Sequence, residues 1–498
     1  LLPAVPRGGQ RQVTPWEEGI FLAGFRWLSV RTRPTMEATQ HIKLPRSQVQ
    51  RGAMRVPQQR TGGPAVTPEH DLVIDLARFF CLALVVVGHT LMVSPVLHAG
   101  GTVTTENTLG NQHWFEPVIW VLQVMPLFFV AGGITGLQSW RRLRARGGNA
   151  VDFMQARMLR LIRPAAVLLA CMFAGLWAAR LSGVDPQVIQ LLATGAGMPL
   201  WFLAAYLAAQ LNLPLLAALH SRAPWPALAG LASLVVAVDC LRGVLPLLAH
   251  ANMIFLWCAV QQLGFIMADS RLLRLGRSAL VGIIVASNLG LGLLVLLGLY
   301  SGNMLVNLNP PNLTLLFLGV SQAAALQLFR PALERLASVG WVRRAVAVAG
   351  RRSMTIYLWH LPLLAALSGL LLLTDFPQPA GGTAAWWWGR PLVLLGVILL
   401  LLPVLALFGR LEERPTSSAH ARSRPAALVV TAAAVVYVPV SDAALHGVTL
   451  GLLGGGAACF ALAGLLLRRV PARAAADAAD GSSGPPLPRP PLSANVEP

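Results

Sequence analysis

One apolar stretch near residue 80 carries three ionisable side chains, Asp75, Arg78 and His89. On a helix, the eleven-residue step from Arg78 to His89 leaves them only about 20° apart around the axis and about 16 Å apart along it. A single face would therefore present a guanidinium suited to an anion and, roughly 25 Å further into a membrane than the start of the stretch, an imidazole. With an ordinary pKa of ~6.5, that imidazole can take a proton from a hydroxyl near neutral pH. A second histidine, His360, lies in another apolar stretch. Arg157, Arg160 and Arg163 recur every three residues, which on a helix makes a partial basic face, and the planar guanidinium fork suits phosphate. Together these types and spacings point to a proton-accepting base in a membrane helix and a separate basic face suited to a phosphate-bearing molecule. Each has a structural alternative: Asp75 and Arg78 as an ion pair anchoring a helix end, the histidines as packing residues, the arginines as topology signals. No carboxylate lies one turn from His89, so Glu106, Glu116 and His113, toward the outer end of the same hairpin, are the expected partners for its ring.

The elements that must hold these groups are membrane helices. Apolar residues make up 55% of the 498 and charged residues 12%, about half the ~25% of an ordinary soluble domain. The apolar residues gather into nearly uncharged runs close to the ~20 residues that cross a bilayer as a helix. The period-2 alternation of a membrane barrel is missing, which leaves helices. Twelve spans are predicted: 72–95, 116–137, 164–182, 199–219, 226–244, 251–268, 279–300, 313–329, 354–374, 390–409, 426–442 and 447–467. The fold expected is all-α and polytopic.

The net charge of +19 is not spread as a nucleic-acid-binding face. The loops 97–113, 183–198, 245–250, 301–312, 375–389 and 443–446 hold no Lys or Arg. The alternate connections hold Arg141, Arg142, Arg144, Arg146, Arg157, Arg160 and Arg163, then Arg271, Arg274 and Arg277, then Arg330, Arg335, Arg343, Arg344, Arg351 and Arg352. This positive-inside alternation predicts a multi-pass plasma-membrane protein with both termini cytoplasmic, and no nucleic-acid partner. The five cysteines all fall within spans and read as small packing residues, with no metal or disulfide pattern. Residues 1–70 are polar and lack the layout of a cleavable signal peptide.

The sequence resembles the acyltransferase-3 family of membrane O-acyltransferases. Asp75-Leu-Ala-Arg78 followed by Val85-Val-Val-Gly-His89 is similar to its first-helix signature, an Arg, ten residues, then a His implicated in catalysis. Met125-Pro-Leu-Phe-Phe-Val-Ala-Gly-Gly133 resembles its second-helix segment. Residues from Phe153 through Arg157, Arg160, Arg163 and Pro164 resemble its phenylalanine-then-RxxR segment. Leu200-Trp-Phe-Leu203 and Gly350-Arg-Arg-Ser353-Met-Thr-Ile-Tyr357-Leu-Trp-His360 resemble two later ones. The second-helix segment reads Ala-Gly-Gly where Ser-Gly is commoner, so no role passes to that serine. The resemblance implies His89 and His360 as catalytic residues, with Arg78, Arg157, Arg160 and Arg163 binding the donor. The donor implied is a cytoplasmic acyl-coenzyme A, acetyl by family habit, with no tightly bound cofactor. The acceptor implied is a hydroxyl of an envelope carbohydrate, a lipid-linked compound or an exported molecule.

The expected organisation is a basic, disordered extension (1–70), a ten-span acyltransferase-like domain (71–409), a basic linker (410–425), two added membrane helices (426–467) and a disordered tail (468–498). Asp239 and Arg242, one turn apart, are expected to neutralise each other, or else to line an acceptor cavity with Arg180. A twelve-span secondary transporter is the main alternative, but it should show two related halves with broken helices in matching positions, and none is evident. A scaffold that kept the fold without the chemistry is the other.

Overall fold

Asp71 opens the first helix: its carboxylate accepts from the Val73 and Ile74 N–H groups at 3.1 and 3.4 Å, supplying partners the first turn lacks. The computed structural model describes residues 71–98, 103–198, 200–269, 275–372, 374, 379–412 and 424–468. The predicted 1–70 extension, Arg271, Arg274, most of the 410–425 linker and the tail beyond Arg468 lie outside them. Described helices in chain order are α1 (Leu72–Met92), α2 (Phe115–Leu122), α3 (Met125–Ala145), α4 (Ala150–Leu181), α5 (Pro186–Gly197), α6 (Leu200–Arg222), α7 (Pro224–Leu241) and α8 (Asn252–Ala268). They continue with α9 (Arg277–Leu296), α10 (Thr314–Leu328), α11 (Arg330–Ser338), α12 (Gly340–Arg351), α13 (Ser353–Leu372), α14 (Ala384–Phe408), α15 (Ala426–His446) and α16 (Leu450–Leu466).

Among the described residues, ten helices are long and apolar enough to cross a membrane, and eleven if α10 and α11, bent by 63° at Phe329, count as one. α16, at 17 residues, is shorter. The protein is thus an all-α, polytopic membrane protein. Several predicted spans are built differently from a simple rod. The first ends at Met92, and the chain passes into strand β1 (Val93–Leu97), paired antiparallel with β2 (Val103–Asn107). The β-branched Val93 and Val96 and, between them, Pro95, which has no N–H to donate, favour this exit from the helix. The second breaks at Gln123–Val124 and restarts at Met125, with Pro126, whose missing N–H costs nothing there, in the first turn. The third begins at Ala150, not 164, behind an Asn149–Asp152 capping box, so Arg157, Arg160 and Arg163 are helical.

Close backbone contact joins α3 to α8. A Cβ on Gly264 would come within 3.0 Å of the Val130 carbonyl oxygen, and one on Gly133 equally near the Gln261 carbonyl. The small residues of the Ala-Gly-Gly segment are there for packing. Above them the Phe129 and Trp257 rings stack at 4.3 Å, both essentially buried. At the arginine-rich end α3, α6 and α8 are clasped by polar groups. Arg141 donates to Asp269 at 2.7 Å, Asp269 meets His220 Nε2 at 2.9 Å, and Gln262 reaches His220 Nδ1 at 2.9 Å. Buried polar side chains thereby find partners that lipid cannot supply. α15 and α16 close onto this body: α16 packs along α4, and Gln155, fully buried, donates to the Leu467 carbonyl at 2.8 Å. α15 lies against α16 and α6.

Candidate functional site

His89 and His360, 271 positions apart, meet. His89 Nδ1 lies 2.8 Å from His360 Nε2. The ring centroids are 5.1 Å apart with planes 16° from parallel, the spacing of two imidazoles lying end to end around one in-plane N–H···N bond. His360 Nδ1 is 2.6 Å from the Tyr357 carbonyl oxygen. The proton positions follow from that contact. A carbonyl only accepts, so His360 carries its proton on Nδ1 and offers the Nε2 lone pair. His89 must then donate from Nδ1, which leaves the lone pair of His89 Nε2 as the open base of the chain. The partner expected among Glu106, Glu116 and His113 is therefore His360. Glu106 is instead paired in the hairpin opposite Ser94, and Glu116 lies against Gly302.

Helix stagger sets the level of this pair. Contacts run in the same order along α1 and α13, from Leu76 beside α12, through His89 at His360, to Val93 on the cluster that holds Leu361 and Leu364, yet His89 is near the end of α1 and His360 near the start of α13. Measured along α1 the imidazole is about 25 Å from the helix start, but along α13 it is only about 10 Å. The histidine pair therefore lies about 15 Å nearer the start of α13 than the start of α1, which runs alongside α12, where Leu76 packs on Val342 and Val346. Beyond His89 the chain stays inside the bundle, with Val93 packed on the Leu361, Leu364, Val397 and Leu401 cluster.

The start of α13 is held from across the fold. Glu412, 5% exposed, accepts from the Met354 N–H at 3.1 Å and from the Thr355 N–H, and it lies within electrostatic reach of Arg160. A carboxylate at a helix N-terminus meets the positive end of the helix dipole, so this cap positions His360 two turns on. Arg160 thus sits roughly two turns from His360 in level. Arg157 lies over the Phe153 ring at 5.0 Å, one turn further out on α4. Arg163 is half-buried on the same helix. Arg78 stands 5.8 Å from the Phe128 ring centroid, and its Nε is buried with no hydrogen-bond partner. Phe128 belongs to an aromatic cluster with Phe202 and Tyr206, and Phe202 reaches Tyr357 at 4.8 Å. The cluster joins the neighbourhood of Arg78 to that of the histidines.

The sequence model of the acyltransferase-3 family, described as an acyltransferase domain, matches residues 71–406. The chain belongs to the acyltransferase-3 family. It is a multi-pass membrane acyltransferase, and the matched region contains His89, His360 and all four candidate arginines. No curated protein and no solved structure matches it significantly.

Three features of this acyltransferase were passed over by sequence reasoning. The Tyr357 carbonyl orients His360, but a backbone group has no sequence signal beyond the spacing of three that puts it one turn behind the ring. Glu412 lies after the last helix of the matched region and looks like an ordinary linker charge. Arg390, at the first residue of a predicted span, donates to the Val93 carbonyl at 3.3 Å and lies 4.1 Å from the Trp386 ring centroid. Asp239 and Arg242 do approach, at 3.8 Å, but Asp239 is held more closely by Asn252, Tyr300 and the Leu313 N–H, at 3.0, 2.7 and 2.9 Å. These contacts make it a structural node linking α7, the start of α8 and the segment between α9 and α10.

Proposed function

We propose that this acyltransferase moves an acyl group, acetyl in the first instance, from a cytoplasmic acyl-coenzyme A to a hydroxyl of an envelope carbohydrate, lipid-linked or exported acceptor. The reading sets the arginine-rich end and both termini on the cytoplasmic side of the plasma membrane, following the positive-inside rule. The observation that carries it is the relay from the Tyr357 carbonyl through His360 to His89 Nε2. It has the logic of a catalytic base oriented by a third group, with a second imidazole where a carboxylate often stands.

In the step proposed, His89 Nε2 takes the proton of the acceptor hydroxyl as the oxygen attacks the thioester carbonyl carbon. The new C–O bond forms and the C–S bond breaks. The leaving thiolate then takes the proton back from His89. The imidazolium formed in between donates to His360 Nε2, and a hydrogen bond gains strength when its donor becomes charged. Arg157, Arg160 and Arg163 would hold the donor's phosphates with its pantetheine arm directed up the bundle. Arg78, about 16 Å along α1 from His89, is assigned to donor binding and not to the oxyanion. The staggered start of α13 supports this division, since it brings the histidines to within a few turns of the arginines.

The test replaces His89 with alanine and follows transfer of label from radiolabelled acetyl-coenzyme A to envelope material in membranes holding equal amounts of inserted protein. Loss of transfer, expected at about 10²–10⁴-fold for a general base, agrees with the reading. Transfer that survives the substitution refutes His89 as the base.

A further inference from the structure

The end of the bundle opposite the arginine-rich one carries a charge that the transfer site does not use. Arg390 lies about 9 Å into α14 from Ala384. Val393, Val397 and Leu401 follow it at three, seven and eleven residues, and all three pack in the cluster that takes Val93 of β1 and Leu361 of α13. Arg390 is thus on the face of α14 turned toward α1 and α13. Val93 follows His89 by four residues, about 6 Å along α1, and its N–H bonds to the His89 carbonyl. Arg390 Nη1 donates to the Val93 carbonyl, so the guanidinium stands over the end of α1, on the order of 10 Å beyond the reacting imidazole. Both side chains are half-buried and keep accessible surface.

Capping α1 accounts for one of the guanidinium's five N–H donors, through a bond of 3.3 Å to a neutral acceptor. The Nε is buried with no hydrogen-bond partner. Among the described residues no carboxylate pairs with this arginine, and Glu106, opposite Ser94 in the hairpin, is exposed. A full charge within a span is costly unless something negative meets it. A second polar atom is unmet at the same place. The Thr108 N–H bonds to the Met92 carbonyl at 2.9 Å, which sets Thr108 at the same end of α1, and its Oγ1 is buried with no partner. Trp386 joins the two sides, with its Nε1 donating to Ser94 Oγ at 2.7 Å and its ring 4.1 Å from the guanidinium. Two unmet polar atoms at one helix end are a cost that a bound oxygen acceptor removes. One guanidinium fork matches one carboxylate in charge and shape. A phosphate monoester carries nearly two charges, and residues 93–113 and 375–389 hold no second Lys or Arg to meet them.

We infer that Arg390, with Thr108 beside it, binds a carboxylate of the acceptor, so that the molecule acylated is a hydroxy acid of the acidic-carbohydrate kind. The inference rests on His89 and His360 as the transfer site and deepens that reading by naming the acceptor class. The carboxylate is the anchor and not the reacting group. It holds the acceptor outward of His89 and leaves a hydroxyl further along the same molecule to reach the imidazole. Arg390 is thereby a specificity residue, acting on acceptor binding and not on the donor.

The experiment uses full-length protein in phosphatidylcholine nanodiscs and saturation-transfer NMR with glucuronate, glucose and glucose 6-phosphate. In wild type the glucuronate signal should exceed that of glucose about fivefold, and Arg390→Gln should bring the two together. Arg390→Lys, which keeps the charge without the fork, should retain part of the difference. Equal signals in wild type, or a glucuronate signal indifferent to Arg390→Gln, would leave Arg390 a cap on α1 and overturn the inference. A glucose 6-phosphate signal that exceeds glucuronate's and falls in Arg390→Gln would assign the site to phosphate and overturn it too. Should Arg390→Gln fail to fold, Arg390→Lys and the wild-type comparison decide. In a second arm, acetyl transfer to envelope material should be inhibited by glucuronate and not by glucose. Arg390→Gln should there raise KM for the acceptor about tenfold with KM for acetyl-coenzyme A unchanged. An equal rise in both KM values would mark a structural arginine and overturn the inference. Absence of any thioester turnover by wild-type protein would sink the proposed activity, whereas the NMR arm would still report on the carboxylate site.

Discussion

Replacing His360 with leucine removes the acceptor for His89 Nδ1–H while keeping an apolar side chain of similar bulk in a site that is 1% exposed. Two consequences follow for His89. Its neutral ring loses the bond that selects the Nδ1–H tautomer, and its charged form loses a partner at 2.8 Å. A hydrogen bond to a charged group contributes about 1.5–3 kcal/mol. If that difference appears in the transition state and not in the ground state, kcat falls roughly 10- to 150-fold, with little change in KM for the acyl donor. His360→Gln should recover part of the loss, because a side-chain carbonyl can accept in place of Nε2. The assay is release of free thiol from acetyl-coenzyme A by purified protein supplied with an acceptor extract, for wild type, His89→Ala, His360→Leu and His360→Gln, with monodispersity checked by size-exclusion chromatography. A His360→Leu rate within twofold of wild type, beside an inactive His89→Ala, would refute the relay. A silent His360→Leu beside an active His89→Ala would reverse the two roles.

Gly264→Ala forces a methyl group against the Val130 backbone, which cannot turn aside as a side chain can; a loss of about 1–3 kcal/mol is expected, read as a lower thermal transition in detergent. Arg157→Gln should raise KM for acetyl-coenzyme A about tenfold, and much less for a donor lacking one phosphate; an equal rise for both would return Arg157 to a topological role. Asp269 lies just beyond the end of α8. Burial pushes its carboxyl upward, but hydrogen bonds from His220 and Arg141 outweigh this and hold it below the usual carboxylate value. A depressed folded-state pKa contributes stability that is complete above the unfolded value of ~3.9 and lost as pH falls through the folded one. Asp269→Asn should therefore lower the thermal transition by a few degrees at pH 7, with the gap to wild type closing in the acid range.

Length, apolar runs and arginine placement were enough to determine that the chain is a bundle of membrane helices with one strongly basic end. Those properties are local: a run of about twenty apolar residues must be helical in lipid because its backbone has no other partner. The candidate residues were legible for a related reason, since Arg78, His89 and His360 are expensive in apolar stretches and so stand out within them. Relations between helices were not legible. Nothing in residues 72–92 states that α1 starts about 15 Å below α13, and that stagger alone brings the eighteenth residue of one helix against the eighth of the other. The Glu412 cap on α13 shares that dependence. Such contacts join segments far apart in sequence, 271 positions for the two histidines and 57 for Glu412 and Thr355, and their geometry depends on how closely helices pack, as where Gly133 and Gly264 let backbones approach. Sequence periodicity records which face of a helix is unusual; only the packed structure decides what that face meets.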